Sequence, residues 1–133
     1  MTAIRSMPCS ACPYRLDVPS GLWDASEYEK LRDYDRPTAY QPPAAFACHA
    51  TPDHLCNGWA VVHTTRGHEY DLLALRLEGV DAIPDAGVPM FDSGNDAADW
   101  GQRDIENPSP AAFEAVWKLM RKYPHLRDAE SQR

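Results

Sequence analysis

The sequence predicts a mainly α-helical fold, with at most minor or irregular β structure. It reads as one small domain whose long Pro-rich loops are stapled by a four-cysteine metal site. Three observations carry this reading. Helix-start signals stand at Asp24, Thr51 and Ser109 ahead of apolar runs. Twelve prolines in 133 residues keep the elements short and the connections stiff. All four cysteines fall in two places, Cys9 with Cys12 and Cys48 with Cys56. A chain of this length builds only a modest core, and a metal cross-link helps such a loop-rich scaffold. The expected organisation is a single metal-binding domain over residues 1–133 with three or four helices.

Taken in order, residues 1–19 read as irregular, because Pro8, Pro13 and Pro19 leave no room for a long element. Asp24 is a good N-cap, Glu27 completes a capping box, and Trp23 with Tyr28 suits a hydrophobic staple. Tyr28, Leu31 and Tyr34 share one face of that helix, which Arg36-Pro37 ends. Residues 36–45 are predicted to be extended, each proline pushing its predecessor out of the helical region. Thr51-Pro52-Asp53 then predicts a helix running to Arg66, with Gly67 as its stop and Cys56 in its second turn. A short helix followed by a strand stays open there, because of Gly58 and the β-branched run 61–65. Residues 70–77 lean towards helix.

Residues 81–108 change composition to Pro, Gly, Asp and Asn. They read as a long acidic loop with one helical turn near residues 97–103, docked on the core by Phe91 and Trp100. Ser109-Pro110 opens the last helix, whose stripe Phe113, Val116, Trp117 and Met120 is expected to be core. Residues 124–133 read as a frayed, locally basic tail.

The formal net charge of −7 argues against direct nucleic-acid binding, where basic residues must neutralise phosphates. It leaves room for a partner that is another protein. No run is long and apolar enough for a signal peptide or a membrane span, so the expected address is the reducing cytoplasm. In that compartment four cysteines point to metal rather than to disulfides.

Four thiolates complete a tetrahedral shell for zinc or cap the irons of a cubane cluster. Cys9, Cys12, Cys48 and Cys56 are therefore the expected ligands. Pro13, directly after Cys12, is unlike a zinc knuckle and like a ferredoxin run, which favours a [4Fe-4S] cluster over Zn2+. Tyr14, Trp23, Phe46 and Trp59 are close enough in sequence to wall the site. His49 offers a substitute ligand or a hydrogen bond near the site, and the full set of thiols favours the hydrogen bond. His54 and His63 read as an exposed and a satisfied core histidine. Arg15 and Asp17 suit an ion pair beside the site. A redox CxxC pair fits poorly, since such motifs follow a strand and open a helix.

Cys9-Ser10-Ala11-Cys12-Pro13-Tyr14-Arg15, followed by Gly21-Leu22-Trp23, resembles part of the WhiB-like regulators. That resemblance implies a [4Fe-4S] centre and contact with the primary sigma factor. It covers about fifteen residues and departs afterwards, because the remaining ligands would be Cys48 and Cys56 in a different topology. The whole pattern, with Phe46-Ala47-Cys48-His49 and Cys56-Asn57-Gly58-Trp59 added, is similar to an uncharacterised family of small actinobacterial and phage proteins over roughly residues 9–59. It implies that the four cysteines act together and brings no activity. The expected function is a non-enzymatic metalloprotein that binds another protein, as a transcription-associated sensor of redox state or oxygen. A structural zinc domain and a small iron–sulfur electron carrier are the alternatives.

Overall fold

The computed structural model describes residues 3–80 and 83–126. Asp81 of the acidic stretch and residues 127–133 of the tail lie outside that set. Among those residues the α-helices run in the order α1 (Ala25–Asp33), α2 (Asn57–Thr65), α3 (Leu73–Glu78), α4 (Gly94–Arg103) and α5 (Pro110–Lys122), with a 3-10 turn at Thr38–Tyr40 after α1. The architecture is mainly helical. Among the described residues β structure is confined to isolated bridges, Ile4 to Leu55, Ala47 to Leu55 and Arg15 to Met90.

Helix α1 starts where its cap signal stands. Asp24 is the N-cap and its carboxylate accepts the Ser26 N–H at 3.2 Å. Tyr28 and Leu31 are its buried face, and Tyr34, just beyond the helix, is buried with them. Helix α4 packs against that face because its own contact surface is small. A Cβ at Gly94 would collide with the Leu31 carbonyl, and one at Gly101 with the Tyr28 ring, while Ala97 and Ala98 between them are fully buried. Helix α2 fills the centre, with Trp59, Ala60, Val61 and Val62 all inaccessible to solvent.

Three expectations need correction. The helix predicted from Thr51 begins six residues later, at Asn57, with Cys56 as its N-cap instead of in its second turn. Residues 46–56 form a narrow hairpin instead. The Cys48 N–H donates to the His54 carbonyl at 2.9 Å, the Cys56 N–H to that of Phe46 at 2.8 Å, and the His54 N–H closes the turn on Thr51 at 2.9 Å. Leu55 also bridges the N-terminal segment, its N–H donating to the Ala3 carbonyl at 2.9 Å. These long-range backbone bonds outcompete the local start signal, since a Thr-Pro-Asp sequence serves a turn as well as a helix.

The second correction concerns the acidic stretch. Its helical part is α4, ten residues long, whose Ser93 N-cap accepts the Asp96 N–H at 3.0 Å. Asp35 adds a second cap from a distance, its two carboxylate oxygens accepting the N–H groups of Gly94 at 2.9 Å and Asn95 at 2.7 Å. The anchoring of this stretch matches expectation. Phe91 packs on the core, and the Trp100 Nε1–H donates to the Val18 carbonyl at 2.8 Å.

The third lies in α5. Ser109 caps it as expected, accepting the Ala112 N–H at 3.2 Å. The inward residues, however, are Ala112 and Leu119, while Phe113 and Trp117 are each 64 % exposed. Two apolar stripes overlap on this helix. The slimmer one faces the protein across a groove lined by Ser10, Ala11, Ala115 and Leu119.

Candidate metal centre

Two short turns carry the first cysteine pair. The Cys12 N–H donates to the Cys9 carbonyl and the Arg15 N–H to the Cys12 carbonyl, both at 3.1 Å. Arg15 clamps the loop from outside. Its guanidinium forms a two-pronged pair with Asp17, both bonds 2.8 Å, and Nη1 reaches the Cys9 carbonyl at 3.4 Å. The second pair sits at the two ends of the 46–56 hairpin, where Cys48 enters the turn and Cys56 opens α2. All four thiols are buried.

The structure brings them together as two cross-pairs, Cys12 with Cys56 and Cys9 with Cys48. The Cys12 and Cys56 Sγ atoms are 3.7 Å apart, well beyond the roughly 2.05 Å of a disulfide. The Cys9 and Cys48 thiols are near enough for each to shift the other's titration. Close approach of Cys12 to α2 depends on Gly58, where a Cβ would come within 2.5 Å of the Cys12 Sγ and 3.0 Å of the Tyr14 Cβ.

Backbone amides are aimed at the sulfurs. The Trp59 N–H donates to the Cys56 Sγ at 3.4 Å. The Ala11 backbone lies beside Cys9, and the Ala50 and Thr51 backbones and the Thr51 side chain lie beside Cys48, each favouring the thiolate there. Donors of this kind favour a thiolate over a thiol. Cys9 first, then Thr51 and Ala50, pull Cys48 down to about 5 against the opposing effect of burial. Cys9 moves the other way, raised by Cys48 and by burial. Cys56 is raised by its bond to Cys12 and by burial, with the Trp59 N–H opposing.

Two arginines stand near these sulfurs. Burial works against the Arg5 guanidinium, but the neighbouring Cys48 and Cys9 sulfurs and Tyr123 raise it overall. Arg15, raised first by its bond to Asp17, also feels Cys12 and Cys9. Arg5 and Thr51 were not legible as site residues. Nothing in sequence spacing marks an arginine four residues before a CxxC, or a threonine whose hydroxyl leaves its helix-cap role for Arg5 and Cys48.

His49 takes the hydrogen-bonding role. Its ring lies on Trp23 with centroids 4.5 Å apart, and its Nε2 meets Glu27 at 2.9 Å. Trp23 in turn donates from Nε1 to the Ala11 carbonyl at 3.0 Å, closing a ring of contacts around the CxxC turn. The wall expected around the site is present in Tyr14, Phe46 and Trp59, all buried. His63 is a buried histidine whose Nε2 meets the Tyr14 hydroxyl at 3.1 Å, and His54 is half-exposed beside Asp53. No helix among the described residues is long and apolar enough to cross a membrane.

A model of the family described as DUF6283, a family of unknown function, matches residues 4–122, and the chain belongs to that family. The match extends well beyond the cysteine-bearing half, through α5. No curated protein and no solved structure matches the chain.

Proposed function

From membership of a family without a known function, we propose that this chain is a non-enzymatic four-cysteine metalloprotein that works by binding another protein. Cys9, Cys12, Cys48 and Cys56 are its ligands. The observation that carries the reading is the pairing of four buried thiols across two loops, with backbone amides at i+2 or i+3 beside the sulfurs of Cys9, Cys48 and Cys56. Apolar core cysteines have no use for such donors, whereas metal-bound thiolates do. Arg5 and Arg15 supply the compensating charge that a buried tetrathiolate centre requires.

The 3.7 Å between the Cys12 and Cys56 sulfurs suits two ligands of one Zn2+ and equally a thiol–thiol hydrogen bond, while no three of the four sulfurs lie within 4.8 Å of one another. Two Zn–S bonds of about 2.3 Å at a tetrahedral angle put their sulfurs about 3.8 Å apart. Thiolates on different irons of a cubane stand further from each other, because each caps its own iron. The [4Fe-4S] alternative draws on the buried Pro13 and the aromatic wall, which would shield a cluster from water. The partner-binding part of the proposal is supported by Phe113 and Trp117, large aromatic side chains that α5 turns outward. The transcription apparatus is the partner that the local likeness to WhiB-like regulators suggests.

Anaerobic purification followed by metal and sulfide analysis and a visible spectrum tests the centre. Colourless protein with one zinc per cysteine set selects the zinc site. A brown protein with iron and acid-labile sulfide selects the cluster, and a metal-free protein that is fully folded overturns the reading. Affinity capture from the native host, repeated with Phe113 and Trp117 replaced by alanine, tests the partner.

A further inference from the structure

On the far side of Tyr14 from the cysteines lies a second constellation. Asp35, His63 and His68 place one ligand atom each within 4.8 Å of one another. Two imidazoles and one carboxylate are a recurring ligand set for catalytic zinc and for non-haem Fe(II), with the remaining coordination positions left to water or substrate. We propose that Asp35, His63 and His68 form a second metal site, taking a divalent first-row transition ion such as Zn2+ or Fe2+ independently of the cysteines.

Each ligand is already oriented by a partner of the kind metal ligands use. His68 Nε2 is 2.7 Å from the Asp92 carbonyl oxygen, which only accepts. Nε2 therefore carries the proton, and Nδ1 presents its lone pair. His63 Nε2 is engaged with the Tyr14 hydroxyl at 3.1 Å, which leaves Nδ1, 3.5 Å from Asp35 Oδ1, as its inward atom. The His63 side chain is buried. Asp35 accepts one α4 amide on each oxygen. A carboxylate has about four acceptor positions, so lone pairs remain for an ion.

The surroundings suit a site with open positions. His63 and His68 line a cavity of about 240 Å³ together with Asp71, Leu72, Leu75 and Arg76. Metal–nitrogen and metal–oxygen bonds of about 2.0–2.2 Å require the three atoms to draw closer than they stand here. His68 lies on the loop after α2 and can supply that movement by side-chain rotation, while His63 and Asp35 stay on the core.

The test compares the full chain with a His68→Ala variant, each saturated with Zn2+, desalted, and assayed for metal per chain. Co2+ titration then follows the d–d bands of nitrogen and oxygen ligation apart from thiolate charge-transfer bands. The unaltered chain is expected to hold one more metal per chain than His68→Ala. Its Co2+ spectrum is expected to show a component without thiolate charge transfer that the variant lacks, or binds at least tenfold more weakly. His68 lies on a loop, and an unchanged circular-dichroism spectrum and melting curve at the cysteine centre confirm that the variant folds. A His68→Gln variant serves as the second probe. Equal metal content and equal Co2+ spectra in all three proteins overturn the proposal. Because the readout is the difference between chains, it stands or falls whether or not the cysteines carry metal.

Discussion

Gly58 rests against Cys12 so closely that a single added carbon would come within 2.5 Å of the sulfur. This contact sets how near the first turn of α2 comes to the CxxC loop, and so whether Cys12 and Cys56 can face each other. Helix propensity alone says that Gly58→Ala stabilises by about 0.8–1 kcal/mol. The contact says the opposite. We expect Gly58→Ala to lose about 1–3 kcal/mol by overpacking and to bind metal more weakly. Urea denaturation checks it, and a stabilised variant would mean that the loop yields freely.

The cysteines should behave as one unit. Cys12→Ser and Cys48→Ser draw one member from each cross-pair. Both are expected to lose the metal almost completely and to lower Tm by roughly 10 °C or more, because metal binding is part of the folding free energy. Metal content and a thermal melt on each variant settle the matter. If one pair can be removed while the other keeps full metal, the two pairs are separate sites.

Glu27 should titrate far below its ordinary range. The hydrogen bonds from His49 and then from Lys30, opposed by partial burial, hold its carboxyl at about 2. A depressed acid contributes stability that is fully present above its unfolded pKa and lost as pH falls through the folded one. The Glu27 contribution is therefore intact at neutral pH and disappears between about pH 4.5 and pH 2. Side-chain carboxyl NMR should give a midpoint near 2 in the native protein. His49→Ala should move it upward, and a midpoint in the usual range in the unaltered chain would refute the pairing.

Helix α5 should separate stability from partner binding. Phe113 and Trp117 are each 64 % exposed, whereas Leu119 is buried. Replacing either aromatic by alanine is expected to change stability by no more than about 0.5 kcal/mol, while Leu119→Ala costs about 2–5 kcal/mol. Denaturant midpoints measure both. If Phe113→Ala is as costly as Leu119→Ala, the aromatic stripe is core after all.

What could be read in the sequence was local or chemical. The caps at Asp24 and Ser109 name their helices correctly because one side chain satisfies one orphan amide within the same turn, whatever the rest of the chain does. The cysteines could be grouped because few roles need four thiols in two short segments, and the structure brings them together in two pairs, Cys12 with Cys56 and Cys9 with Cys48. The Arg15–Asp17 pair, two residues apart, is equally local. The start of α2 was out of reach, because Leu55 closes the hairpin opposite Ala47 and bonds the backbone of Ala3 and Arg5 some fifty residues away. Thr51 carries the same side chain in either outcome.

The outward face of α5 was hidden for a related reason. Periodicity shows that apolar side chains share a face, but not which of two overlapping stripes meets the protein. Tertiary contact decided for Ala112 and Leu119, the first beside Trp23 and Pro108 and the second beside Ser10 and Ala11 of the Cys9–Cys12 turn. Helix α4 was concealed by its composition. Its glycines and acids read as loop until Tyr28 and Leu31 arrive to need a flat surface, and Asp35 to cap its first turn. By itself the sequence determined the helical class, the local caps and the set of four thiols, since each rests on chemistry between near neighbours. Only the tertiary structure decided which sulfurs pair, which amides reach them and which aromatic rings face solvent, since each depends on distances set by segments far apart in the chain.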